Sequence, residues 1–117
     1  GVPVMTAFER TVKAIKPFGH PYGPDLYEGE KKHYFVYNYS DNRGCLFGDN
    51  EPEELSVSVQ VHFFLPMDEN YLKSRNQIRE ALFREGFTYP EVTVETEKEN
   101  NIRHIIFECD TTEEREV

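Results

Sequence analysis

Four histidines (His20, His33, His62, His104) and two cysteines (Cys45, Cys109) are the side chains of this chain best suited to holding metals or moving protons. Their spacing argues against both uses. None falls in an HxH, HxxxH or CxxC frame, the spacings that bring two ligands to one side of a strand, helix or turn, so no metal is expected. His20, Tyr22, Asp25 and Tyr27 crowd one segment and imitate an acid–base set. Proton transfer needs side chains held by rigid elements, and the surrounding GHPYGPDLYEGE is too rich in Gly and Pro to be one. There is no GxSxG, Walker-type loop or GxGxxG, and Gly44-Cys-Leu-Phe-Gly48 is too short to cradle a phosphate. The expectation is a protein that is not an enzyme and carries no cofactor. The two cysteines form no disulfide framework and are expected to be free, buried thiols.

A second candidate chemistry is ring stacking. Lys31–Gly44, KKHYFVYNYSDNRG, places four aromatic rings at Tyr34, Phe35, Tyr37 and Tyr39. Such a strand can stack nucleic-acid bases, but only within a cationic field. With 22 acidic against 13 basic residues and a net charge of −9, only Lys31-Lys32 lies beside these rings. Phosphate contacts are thus too few for nucleic acid. Alternation puts His33, Phe35, Tyr37 and Tyr39 on one strand face and Tyr34, Val36 and Asn38 on the other. One face suits a core. The other needs cover by a loop or another subunit, where Tyr buries a ring and keeps its hydroxyl wet.

The elements that must position these residues are legible in outline. Thr6-Ala-Phe-Glu9 is a capping box, and Phe8, Val12 and Ile15 form one stripe of a short helix stopped by Pro17 and Gly19. Leu55–Leu65 alternates without a break: Leu55, Val57, Val59, Val61, Phe63 and Leu65 face one way, and Ser56, Ser58, Gln60 and His62 the other. At about 3.3 Å per residue it spans roughly 35 Å, longer than most strands, which predicts a central position. Pro66 ends it. Asp68 is the expected cap of a second helix, with Met67 stapled on Leu72 and Tyr71, Leu72, Ile78, Ala81 and Leu82 on its buried face. Gly86 terminates that helix, with Phe87 folding back on Leu82. Residues 91–97 and 102–109 read as a hairpin, with Ile105, Phe107 and Cys109 sharing a face.

The predicted fold is α+β in the order α-β-β-α-β-β: a mixed or antiparallel sheet, two helices on one face, and a long polar loop, Ser40–Glu54, between the first two strands. The first residues, GVPV, precede Met5 and read as a vector remnant, so residues 1–5 are set aside as disordered. Residues 6–110 form a single domain and 111–117 a charged, frayed tail. No apolar run nears the roughly 18 residues of a membrane span, and no signal-peptide pattern is present.

Three pieces in this order carry a resemblance: Tyr37-Asn-Tyr-Ser-Asp41 at one strand end, Val59-Gln-Val-His-Phe-Phe-Leu-Pro66 at another, and Ala81-Leu-Phe-Arg-Glu-Gly-Phe87 leading to His104-Ile-Ile-Phe-Glu-Cys109. Together with their spacing over residues 6–110, they resemble the tail terminator, or tail-completion, proteins of long-tailed bacteriophages and prophages. The resemblance implies a virion structural protein of the tail, made in the bacterial cytoplasm, with no catalytic residues and no membrane partner. It implies a self-associating ring, typically a hexamer, that ends tail-tube polymerisation and meets the head–tail connector, while DNA passes its lumen as non-adherent cargo. A head-completion or neck protein of the same virion, and a cellular α+β protein-binding module, are the alternatives.

A closed ring needs two different contact surfaces on each subunit. On this reading Tyr34, Tyr37, Tyr39, Gln60 and His62 are the expected subunit interface. The 40–54 loop, with Asp41, Arg43, Asp49, Glu51, Glu53 and Glu54, is expected to face the lumen or an axial partner, its acids repelling DNA.

Overall fold

The strand predicted from the unbroken alternation becomes the centre of the molecule. In the computed structural model, which describes residues 5–48 and 51–114 (without the side chains of 46, 47, 52 and 53), β3 runs from Glu51 to Pro66. It pairs antiparallel with β2 (Tyr34–Gly48) on one side and with β5 (Ile102–Glu114) on the other. A short β1 (Tyr22–Pro24) adds to β2 in parallel, and β4 (Glu91–Glu97) closes the far edge, for a mixed sheet of order β1-β2-β3-β5-β4. The fold is α+β.

Side-chain parity decides what each face of this sheet does. Val57, Val59, Val61, Phe63 and Leu65 of β3 are buried, and so are their same-face neighbours Phe35, Ile105, Phe107 and Cys109. These residues join one core cluster with Ala7, Ala14 and Ile15 of α1 (Ala7–Ile15) and Ile78 and Leu82 of α2 (Leu72–Arg84). Burial lifts the Cys109 thiol to about 12, so it is an inert thiol at neutral pH.

The capping box forms as read. The Thr6 hydroxyl accepts from the Glu9 amide at 3.2 Å, and the Glu9 carboxylate accepts from the Thr6 amide at 3.4 Å. Replacing Thr6 with alanine is expected to cost about 1 kcal/mol, read as a lower urea midpoint with unchanged slope; no change would mean the cap is idle. Gly86 ends α2 at φ +96, where a Cβ would also overlap the Arg10 guanidinium. Arg10 in turn donates to the Glu85 carbonyl at 3.2 Å and ties the two helices together.

Four expectations are corrected. The described part of the 40–54 segment, residues 40–48 and 51–54, is not a loop: β2 and β3 stay paired there, as Cys45 opposite Glu54 and Gly48 opposite Glu51. A bulge between Tyr39 and Asp41 shifts the register by one, so that Asn42 and Gly44 join Val57 and Leu55 on the core side. The alternation was hidden because few side chains on this ribbon meet a core. Residues 111–114 are not a frayed tail but the end of β5, held by Tyr39, whose hydroxyl donates to Glu113 at 2.7 Å, and by the Ala7 amide at the start of α1.

β1 lies in the segment expected to be wholly irregular. Its backbone finds partners on the free edge of β2, with the Asp25 amide donating to the Tyr37 carbonyl at 2.9 Å. Finally, α2 starts at Leu72 rather than just after Asp68. Asn70 Oδ1 accepts from the Leu72 amide at 3.0 Å, an Asx turn that delays the helix and leaves Leu72 47% exposed, off the buried face. Residues 1–4 and 115–117 lie outside the described residues.

Candidate functional site: the open sheet face

The sheet face away from the core carries Tyr34, Val36 and Asn38 of β2, Ser58, Gln60, His62 and Phe64 of β3, and His104, Ile106 and Glu108 of β5, as their register with the core residues requires. Its most ordered feature is a row of rings crossing the strands. Tyr27 stacks on Tyr34 at 4.4 Å, Tyr34 on Phe64 at 4.6 Å, and Phe64 on His104 at 4.1 Å. His104 then meets His62 at 4.8 Å. These spacings approach the inter-strand distance of about 4.8 Å, so the rings stand side by side and cover one another's faces. Tyr34 and Phe64 each have a ring against both faces, and His104 has Phe64 against one. What they turn outward is edges. Base stacking needs open ring faces, so this geometry is a poor nucleic-acid platform.

A polar chain runs beside the rings. His62 Nε2 lies 3.0 Å from Asn38 Oδ1, an acceptor, so His62 donates there and its Nδ1 is left to accept. His104 Nε2, at 2.6 Å from that Nδ1, donates to it. His104 Nδ1 then points a lone pair toward Glu95 Oε2, 3.7 Å away. A neutral pair therefore satisfies both inner bonds, and an added proton belongs on His104 Nδ1, beside Glu95.

Burial holds both histidines below their ordinary value; His104 opposes protonation of His62, while Glu95 partly offsets the burial of His104. Below pH 6.5 the unfolded chain takes up protons that the folded pair resists, so stability falls as pH drops from 7 toward 5. His62→Gln should flatten that slope, by at most about 1.4 kcal/mol per pH unit for the one histidine. Urea melts at pH 7, 6 and 5 check this, and an unaltered slope would contradict it. His104, still lowered by burial, and His20, lowered by burial and by His33, supply the slope that remains.

Asp25, Leu26, Tyr27, Tyr34, Val36 and Asn38 enclose, with the His pair and Phe64, a shallow pocket of about 260 Å³. Among the described residues, no group of three or more His, Cys, Asp or Glu is placed to hold a metal ion, and no helix is long and apolar enough to cross a membrane.

The residues expected at a subunit interface separate. Tyr34, Gln60 and His62 lie on the open face. Tyr37 does not: it is 6% exposed, edge-on to Phe8 in the core. Tyr39 also faces the helices, stacked on Phe8 at 4.3 Å, and burial with the Glu113 hydrogen bond holds its phenol well above the ordinary value. Both belong to the α1 contact because their parity matches Phe35, and Phe8 reaches them. Of the residues assigned to a lumen loop, Asp41 and Arg43 pair with each other at 2.6 Å on the open face. Glu54 stands across from Glu114, and Glu51 ends the paired ribbon opposite Gly48. Asp49 and the side chain of Glu53 lie outside the described residues.

Sequence reasoning missed the His62–His104 pair, formed 42 residues apart. The usable signal was parity: His62 is out of phase with Val61 and Phe63, and His104 with Ile105, on strands that turn out adjacent. It also missed the lid of Tyr34, which is Tyr27. No family model matches the chain, and no curated protein matches it.

Proposed function

We propose that this chain is a non-enzymatic structural protein of a phage or prophage tail that closes the tail tube as a ring and offers a joining surface to the head–tail connector. The observation that carries the reading is the shape. The body measures 54 × 26 × 26 Å, with a radius of gyration of 15.6 Å where a compact chain of this length has about 13.4 Å. The excess length lies along the β2–β3 ribbon, which runs past the last described β5 partner, Glu114 opposite Glu54. A protein that works by assembly has a use for an arm that adds no core; a small-ligand binder has none. The open sheet face supports the same reading, since its rings show edges and its pocket is shallow. The resemblance in sequence order over residues 6–110 supplies the tail-terminator assignment. DNA would pass as cargo along an acidic surface, and Glu51 and Glu54 are the described acids nearest the ribbon tip.

Electron microscopy of the chain mixed with polymerised tail tubes of the phage or prophage that encodes it is the direct test. Rings, or a cap confined to one tube end with elongation stopped, are expected. Tubes that keep growing and bind no protein would sink the reading.

A further inference from the structure

The two layers of this protein carry opposite charge. Helix α2 has four cations, Lys73, Arg75, Arg79 and Arg84, against one acid, Glu80. The outward residues of β4 and β5 carry Glu91, Glu95, Glu97, Glu108, Asp110 and Glu114 and no Lys or Arg. Within that acidic face Glu91 stands directly opposite Glu108 in the β4–β5 register. Like charges facing across neighbouring strands destabilise a sheet, so a lone subunit holds an unfavourable pair that a docked cation would relieve. The helical layer shows the matching feature. Phe83 and Tyr89, each 49% exposed, pack edge to face at 5.4 Å, and the Arg79 guanidinium lies 4.4 Å over the Tyr89 ring. An exposed aromatic pair joined to an arginine is the composition of an interface anchor.

We infer that the α2 surface of one copy, anchored by Phe83 and Tyr89 and flanked by Lys73 and Arg84, docks on the acidic β4–β5 face of a second copy around Glu91 and Glu108. The inference rests on the ring reading and names its contact. The occupant is a second copy because the complementary charge is on the chain itself, on the layer opposite to the acidic one. A contact between unlike surfaces repeats head to tail, as a closed ring requires. The net charge of −9 opposes random contacts between copies, so charge pairing selects this orientation.

A charge swap tests it. Lys73→Glu with Arg84→Glu makes α2 acidic; Glu91→Lys with Glu108→Lys makes the sheet face basic. Each double variant alone is expected to lose self-association, with the apparent Kd raised about a hundredfold or more. Mixed one to one, the two restore rings of alternating composition, read by native mass spectrometry and electron microscopy. Rings of wild-type size from either variant alone, or no recovery on mixing, would overturn the contact and leave the ring reading standing. A wild-type chain monomeric both free and on tail tubes would overturn the ring reading itself. Glu91→Lys alone guards against misfolding: it replaces a like pair by an opposite one opposite Glu108, so melting temperature should hold or rise while assembly weakens. Unchanged assembly in that variant overturns the contact.

Discussion

Replacing Phe107 with alanine is expected to cost about 3–5 kcal/mol, the range for truncating a buried ring. Phe107 is fully buried on β5, with Val61 of β3 and Val92 of β4 in register on either side. Two sheet neighbours and the helical layer fix the walls of the site, so the backbone cannot close on the void and the cavity persists. Against a total of about 5–15 kcal/mol for a domain of this size, that is about a fifth of stability or more. Phe83→Ala, which truncates a ring that is half exposed, should shift stability by about 0.5 kcal/mol or less. Urea melts of the two variants decide the matter. A loss below about 1 kcal/mol at Phe107 would mean that the core is not organised around the β3–β5 ladder.

The same contrast explains what the sequence could and could not reveal. Val57 to Leu65 were legible because burial of one face and solvation of the other force a period of two. Thr6 and Glu9 were legible because a capping box is local, as was Gly86 because only glycine readily takes the turn at φ +96. The strand character of residues 41–48 and 51–54 was not, since a ribbon whose described side chains join no core cluster has no dry face to pattern it. Tyr37 and Tyr39 were assigned to another subunit because the sequence does not say how far α1 reaches; Phe8 covers both. The row from Tyr27 to His62 needs strands β2, β3 and β5 adjacent, and the His62–His104 bond depends on a diagonal in that register. Such contacts are set by tertiary pairing over tens of residues, where local patterns carry no information. Parity alone placed Tyr34 and His62 on the open face, and there it agrees with the structure.

Removing Cys45–Glu54 and joining Gly44 to Leu55 through Asn-Gly is the second large expected effect, and it falls on assembly rather than folding. Gly44 and Leu55 are directly paired, so a two-residue turn of the type that Asn-Gly favours closes the hairpin in register. The deleted segment contributes no described residue to the core cluster, and Glu54 is its one residue with a described β5 partner, Glu114. A two-stranded hairpin end is marginally stable by itself and adds little to the stability of the sheet it extends. The melting temperature should therefore stay within about 4 °C of wild type, the shift that corresponds to less than 1 kcal/mol. On the proposed tail-capping function, capping of tail tubes should fall at least tenfold, because the β2–β3 arm extends the molecule along its long axis. A trimmed chain that caps as well as wild type would remove the arm from the mechanism. One that melts far below wild type would instead show the ribbon to be part of the folding core, and its length would then need no partner to explain it.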